Sequence, residues 1–200
     1  MTRTARQQAE AAATATDKDV RAGHGMERTS NILGALAVAL SGRITSETSA
    51  LSGVSPSAVS ALIQIHFYPG ICVEQIRSQI WVSHSATVRV IDSLEDAGLI
   101  ERRRVDGRDG RGMSLFMTDR GAGVVTEVLN RRNSITRAMV TSFPPHEQPL
   151  VERVVCGLIS SLVQPGPEQE YVCRFCDLSA CPQDQCPMTL LDDLAPGSGA

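Results

Sequence analysis

Six cysteines occur in this 200-residue chain, and four of them crowd into one short segment near its end. The segment reads Cys173-Arg174-Phe175-Cys176-Asp177-Leu178-Ser179-Ala180-Cys181-Pro182-Gln183-Asp184-Gln185-Cys186-Pro187, a C-x2-C-x4-C-x4-C spacing. Four thiolates this close together can complete a tetrahedral zinc site or ligate an iron–sulfur cluster. Zinc sites often pair two C-x2-C knuckles across a longer stretch, whereas this segment has one knuckle and two isolated cysteines. Pro182 follows Cys181 and Pro187 follows Cys186, and a proline commonly follows an iron–sulfur ligand. The spacing therefore favours an iron–sulfur cluster, 4Fe–4S before other types, on Cys173, Cys176, Cys181 and Cys186. Structural zinc is the alternative, and a reversible thiol–disulfide switch stands behind both. Cys173-x2-Cys176 alone would suit a redox pair, but it lacks the βαβ context of that motif. Cys72 and Cys156 sit among apolar neighbours and read as core, since a buried free cysteine behaves as a small hydrophobe.

A second set of residues points to a different chemistry. Between Glu101 and Arg111 there are five arginines against three acids, whereas Glu168 to Asp193 holds six acids and only Arg174. Charge is segregated, although the formal net charge is only −3. The arginines surround Asp106-Gly107-Arg108-Asp109-Gly110-Arg111-Gly112, a charged glycine-rich loop. Leu99-Ile100-Glu101-Arg102 before it reads as a strand. Met113, Leu115 and Met117 after it alternate with Ser114 and Phe116 as a second strand, so the loop tips a hairpin.

The elements that must carry these residues follow from apolar spacing and punctuation. Residues 1–26 read as a disordered arm. Ile32, Leu33, Leu36, Ala37, Leu40 and Ile44 then form one helical stripe that Gly53 ends. Ser55-Pro56 starts the next helix, which carries Val59, Leu62 and Ile63 and stops at Pro69-Gly70. Val73 to Ile80 is a short helix with Val73, Ile76 and Ile80 on one face. Trp81-Val82 is a tight turn. Ser83 caps a helix whose Val88, Ile91 and Leu94 point inward, and Gly98 closes it. After the hairpin, Thr118 caps a long helix to about Val140. Phe143-Pro144-Pro145 breaks the chain, and another helix runs from about His146 to Val163. Pro165-Gly166-Pro167 precedes the cysteine segment.

With 42% hydrophobic residues there is ample core material, but aromatics are only 4%, so Leu, Val, Ile and Ala must pack it. The N-terminus lacks the apolar stretch of a signal peptide. The longest apolar run, Ile32 to Leu40, is far short of the roughly 20 residues that span a bilayer. The expectation is a cytoplasmic protein with no membrane partner, where clustered thiols bind metal or do redox chemistry rather than form lasting disulfides.

A short helix, a tight turn, a second helix and a hairpin form a winged helix-turn-helix. The second helix fits the major groove, where every base pair shows a distinct donor and acceptor pattern, and the arginine-tipped hairpin suits phosphates or the minor groove. Ser83, His84, Ser85, Thr87 and Arg89 are the candidate contacts on that helix, with Arg108, Asp109 and Arg111 on the wing. Each has a plainer role available: Ser83 as a helix cap, His84 as a solvated side chain, Arg89 as the partner of Asp92. At least one of Arg102, Arg103 and Arg104 should point toward a duplex.

The stretch from Val82 to Ile100, with Asp109-Gly110-Arg111 followed by Leu115-Phe116-Met117-Thr118 and Gly121, resembles the MarR family of bacterial transcriptional regulators, in a subgroup with a C-terminal four-cysteine motif. Asp109 and Arg111 occupy the family's Asp-x-Arg wing motif, Met117 replaces its usual Leu, and Trp81 stands where a small residue, often Gly, is usual. The resemblance covers about residues 31–163. It implies a mainly α, winged-helix (α+β) fold with a helical dimerisation region and a two-stranded wing, in an obligate homodimer on a pseudo-palindromic operator. It also implies that Arg111 works at the wing with Asp109 orienting it.

The resulting map is an arm at 1–26, a dimerisation helix at 27–54, the DNA-binding domain at 55–117, further dimerisation helices at 118–164 and a metal-binding tail at 165–200. The expected function is a transcriptional regulator, a repressor like most of the family, whose DNA binding is tuned by the metal centre. The alternative is a MarR-like regulator that senses a small ligand or thiol oxidation and uses zinc as a staple. A centre just after the last dimerisation helix would lock the C-terminal helices, and the acidic tail would face away from DNA or pack on the partner subunit. No phosphate loop, nucleophile elbow or paired His-carboxylate motif points to an enzyme. An electron-transfer protein built on the cysteines would need no wing.

Overall fold

The computed structural model describes residues 3–104, 113–164, 166–181 and 183–192. The chain divides into two units, Met1–Arg43 and Ile44–Ala200. Helix α1 runs Arg3–Ser52, so it begins inside the stretch whose composition suggests an arm. Ala is the best helix former, and it recurs through residues 5–15. In the first unit Ile32, Leu33, Leu36 and Val38 leave an apolar surface exposed on this helix.

The second unit is built around α2 (Pro56–Phe67). Ser55 caps it by accepting the Ala58 N–H at 3.3 Å, and Pro56 fills its first turn. Every residue from Ala58 to Ile65 is buried. Such a helix is enclosed by its neighbours: α3 (Val73–Ile80), α4 (His84–Asp96), α5 (Asp119–Val140) and strand β2 (Met113–Met117) all pack on it. Leu62 and Ile63 meet Ile76 of α3, Ile91 and Leu94 of α4, Leu115 of β2 and Val125 and Val128 of α5 in one core. Strand β1 (Ile100–Arg104) pairs antiparallel with β2, from Ile100 opposite Met117 to Arg104 opposite Met113. Residues 70–72 lie along the other edge of β2, where Leu115 N–H donates to the Ile71 carbonyl at 3.0 Å.

Helix α6 is Gln148–Leu162. It has no buried residue, and Leu150, Val154, Leu158 and Leu162 recur every four positions on an exposed face. The cysteine segment is structured as well: α7 (Pro167–Cys173), a 3-10 turn at Gln183–Gln185 and α8 (Pro187–Asp192). The mainly helical architecture with a two-stranded antiparallel sheet is the one expected from the sequence. Among the described residues no helix is long and apolar enough to cross a membrane.

Candidate nucleic-acid interface and cysteine site

The helix-turn-helix consists of α3, a turn at Trp81-Val82 and α4. Trp81 adopts φ 51 and ψ 48, the only non-glycine residue with positive φ among those described. This left-handed conformation strains an L side chain and favours Gly, which explains why a bulky residue is unexpected here. Ser83 caps α4 by accepting the Ala86 N–H at 3.3 Å, and its Oγ lies 3.3 Å from that of Ser85. Ser83, His84, Ser85 and Arg89 are exposed together on the first turns of α4. The Nδ1 of His84 lies 3.7 Å from Glu74 on α3. Arg77 donates to the same carboxylate at 2.7 Å and, with His84, holds Glu74 below the usual carboxylate range.

Thr87 departs from its expected place at the surface. It is fully buried, and its hydroxyl donates to the Ser83 carbonyl at 3.0 Å. Thr87, Ile91 and Leu94 share the core face of α4, a stripe the helical spacing could have revealed. Asp92 is not the partner of Arg89. It accepts from Arg102 of β1 at 2.5 Å, and Arg102 also pairs with Glu95. Arg102 thus fastens the wing root to α4. Arg103 pairs with Glu101 and lies over the Phe116 ring, while Arg104 is exposed. Arg108, Asp109 and Arg111 lie outside the described residues.

The cysteine segment docks on the helix-turn-helix of its own chain. Helix α7 packs on α3. Phe175, inside the C-x2-C knuckle, packs against the central core. Asn133 of α5 donates to Asp177 at 2.9 Å. Tyr171 stacks on Trp81 with ring centroids 4.6 Å apart and planes 20° apart. These aromatic and amide contacts have no periodic signature in the sequence.

The thiols stand in two neighbouring pairs. Cys173 hydrogen-bonds to Cys176, and this contact, helped by Arg132 and Arg174, lowers the Cys176 thiol to about 6 against the opposing effect of burial. Burial raises the Cys181 thiol, as do its neighbours Cys186, Cys176 and Cys156. Among the described residues no three His, Cys, Asp or Glu side chains converge on one point where a metal ion would sit. The donor set is nonetheless that of a thiolate centre, with the Cys176 thiol lowered and two cationic neighbours, Arg132 and Arg174, to offset ligand charge. Cys72 and Cys156 are half-buried. Cys72 caps the start of α3, where its N–H donates to Gln75 at 3.1 Å.

Two helices joined by a tight turn, packed on one core and followed by a two-stranded hairpin, make a winged helix-turn-helix. The sequence profile of the MarR family matches residues 52–112. Among solved structures, the YusO protein from Bacillus subtilis is 25% identical and superposes with a TM-score of 0.58, over 67% of this chain and 94% of YusO. MepR, a transcription regulator of the Staphylococcus aureus multidrug efflux pump MepA, is 15% identical with a TM-score of 0.59, over 66% of this chain and 97% of MepR. Streptococcus pneumoniae FabT, solved in complex with DNA, is 18% identical with a TM-score of 0.57, over 66% of this chain and 95% of FabT. No curated protein matches the chain by sequence. Residues 52–112 therefore carry the MarR-family pattern, on a body with the MarR winged-helix fold.

Proposed function

We propose that this protein is a MarR-family transcriptional repressor that binds duplex DNA as a homodimer. Helix α4 would enter the major groove with Ser83, His84, Ser85 and Arg89, and the wing would bring Arg108 and Arg111 to the flanking backbone or minor groove. The observation that carries this reading is the joint exposure of those four α4 side chains beside an arginine-rich hairpin, on a fold whose relative FabT was solved with DNA. The open apolar faces of α1 and α6 support a second copy as the partner, since a contiguous exposed stripe of this kind marks an interaction surface.

Duplexes selected from a randomised pool should show two related half-sites. On such a duplex Arg111→Ala is expected to weaken binding by about 1–3 kcal/mol at fixed salt. Unchanged affinity would remove the wing from the interface. Arg89→Ala should cost a similar amount, about 1–3 kcal/mol, whereas Thr87→Val should leave affinity as it was, because Thr87 faces the core. Equal losses at Arg89 and Thr87 would mean that α4 presents a different face.

The finer part of the reading concerns the thiols. Cys173, Cys176, Cys181 and Cys186 would hold an iron–sulfur cluster whose loss or oxidation changes DNA affinity. The support is the four-thiol donor set and the lowering of the Cys176 thiol by Cys173, Arg132 and Arg174. The two-by-two arrangement of the thiols favours a second reading, thiol oxidation with structural zinc. Anaerobic purification, a visible spectrum and elemental analysis separate them, since iron–sulfur clusters absorb visible light and zinc thiolates do not.

A further inference from the structure

We propose that the stack of Tyr171 on Trp81 is the route by which the cysteine segment sets the recognition helix. Trp81 and Tyr171 are thus positioning residues for DNA binding. The inference rests on the reading that the thiols tune DNA affinity, and it identifies the contact through which they act.

The residue at the turn between α3 and α4 fixes the angle at which α4 leaves the core. Here that residue is a tryptophan in the left-handed region, a conformation that strains an L side chain. A glycine would adopt it without strain, so the indole must return something for its place. It is not anchored in the core, since it is 52% exposed. Its described contact is the Tyr171 ring, 90 positions away in sequence. Strain at a backbone outlier is held by the contacts around it, and here that contact comes from the cysteine segment.

The connection to the thiols is short. Tyr171 lies two residues before Cys173 in the same helix α7. Arg174, inside the C-x2-C knuckle, sits over the Tyr171 ring with its guanidinium carbon 3.5 Å from the centroid. Glu170, the preceding residue, accepts a hydrogen bond from Ser78 of α3 at 3.3 Å. Burial raises the phenol of Tyr68, the cap of α2, and the neighbouring Cys173 and Glu170 add to it. On the other side of the turn, Ser83, the cap of α4, is two residues from Trp81. A change at Cys173 or Cys176 can therefore reach the N-terminus of the recognition helix within one chain, and the ring pair is the contact made directly on the turn residue. Coupled binding needs two sites joined by a shared element, and the stacked pair is the element that joins these two.

The test uses the full chain, purified anaerobically and compared with the same protein stripped by a chelator, on a duplex selected by the protein. The wild-type ratio of affinities between the two forms should fall within about 5–150-fold. Tyr171→Leu should keep its metal content but bring that ratio close to one, and Tyr171→Phe should restore it. Trp81 is the sole tryptophan, so its emission reads the stack directly and should shift to the red in Tyr171→Leu. If Tyr171→Leu fails to load metal, Trp81→Gly serves instead. It keeps the turn conformation, removes the ring, and should again bring the ratio close to one. A variant that holds its metal, has lost the stack and keeps the wild-type ratio overturns the coupling alone. Equal affinities of loaded and stripped wild type would overturn the tuning itself, and the coupling with it.

Discussion

Gly121→Ala should lower the stability of the winged helix by about 1–3 kcal/mol or more, the range for overpacking a close contact. Gly121 is the third residue of α5, and a methyl group there would sit 2.0 Å from the Leu99 carbonyl oxygen and 2.5 Å from the Met117 sulfur. The methionine can move aside. The carbonyl cannot, because it already accepts the Thr118 N–H at 3.1 Å while the Thr118 hydroxyl donates to the Gly98 carbonyl at 2.8 Å. Arg120 adds a bond to the Ala97 carbonyl at 2.6 Å. The end of α4, both strands and the start of α5 are tied at this one junction, so a shift here opens the wing root. Each kcal/mol should lower the melting temperature by roughly 2–4 °C for a chain of this size. Gly123→Ala, two residues on with nothing within 4 Å of the added methyl, is the control. It should raise stability by up to about 1 kcal/mol, the helix-propensity difference. Thermal melts followed by circular dichroism check both, and equal melting of the two variants would contradict the close packing at Leu99.

The second large effect concerns the metal. On the proposal that the four thiols of the C-terminal segment hold a metal centre, Cys176→Ser should abolish it, so that iron or zinc per chain falls from near-stoichiometric to background, while Cys72→Ser retains it. Serine is not ionised at neutral pH and offers a hard oxygen, whereas the Cys176 thiol is lowered to about 6 by Cys173, Arg132 and Arg174. The variant should remain folded. The segment is fixed by Phe175 in the core, by the Asn133–Asp177 bond and by the Tyr171–Trp81 stack, and none of these requires a ligand at Cys176. Elemental analysis of the two variants side by side decides the point, with circular dichroism confirming that both are folded. Full metal content in Cys176→Ser would move the centre to other residues.

The elements around α2 were legible because each boundary has its own local chemistry. Ser55-Pro56, Ser83 and Thr118 cap helices by side-chain bonds to their first turns, and Gly53 and Gly98 end them with positive φ. The hairpin was legible from the two short runs around the glycine-rich loop, although burial in Met113–Met117 does not alternate: Met113 is exposed and Ser114 is buried beside Leu115. The cysteine segment was legible as chemistry but not as structure. Helices α7 and α8 are too short for a period to show, and the available signals were Pro167 and Pro187, each at the first position of its helix. Its docking site was hidden because Tyr171 and Trp81 are paired only by the fold. Thr87 shows the opposite case. Its spacing from Ile91 and Leu94 marked it as interior, but its hydroxyl suggested a surface role.

Strand β2 is hydrogen-bonded along both edges, by β1 on one side and by residues 70–72 on the other. The strand edge left for a stray chain is that of β1, whose residues from Glu101 to Arg104 are all charged. Charged side chains along a free edge discourage strand addition by other molecules. The run that ties the wing root to α4 thus also guards against aggregation, and neutralising it should be felt first as reduced solubility on concentration.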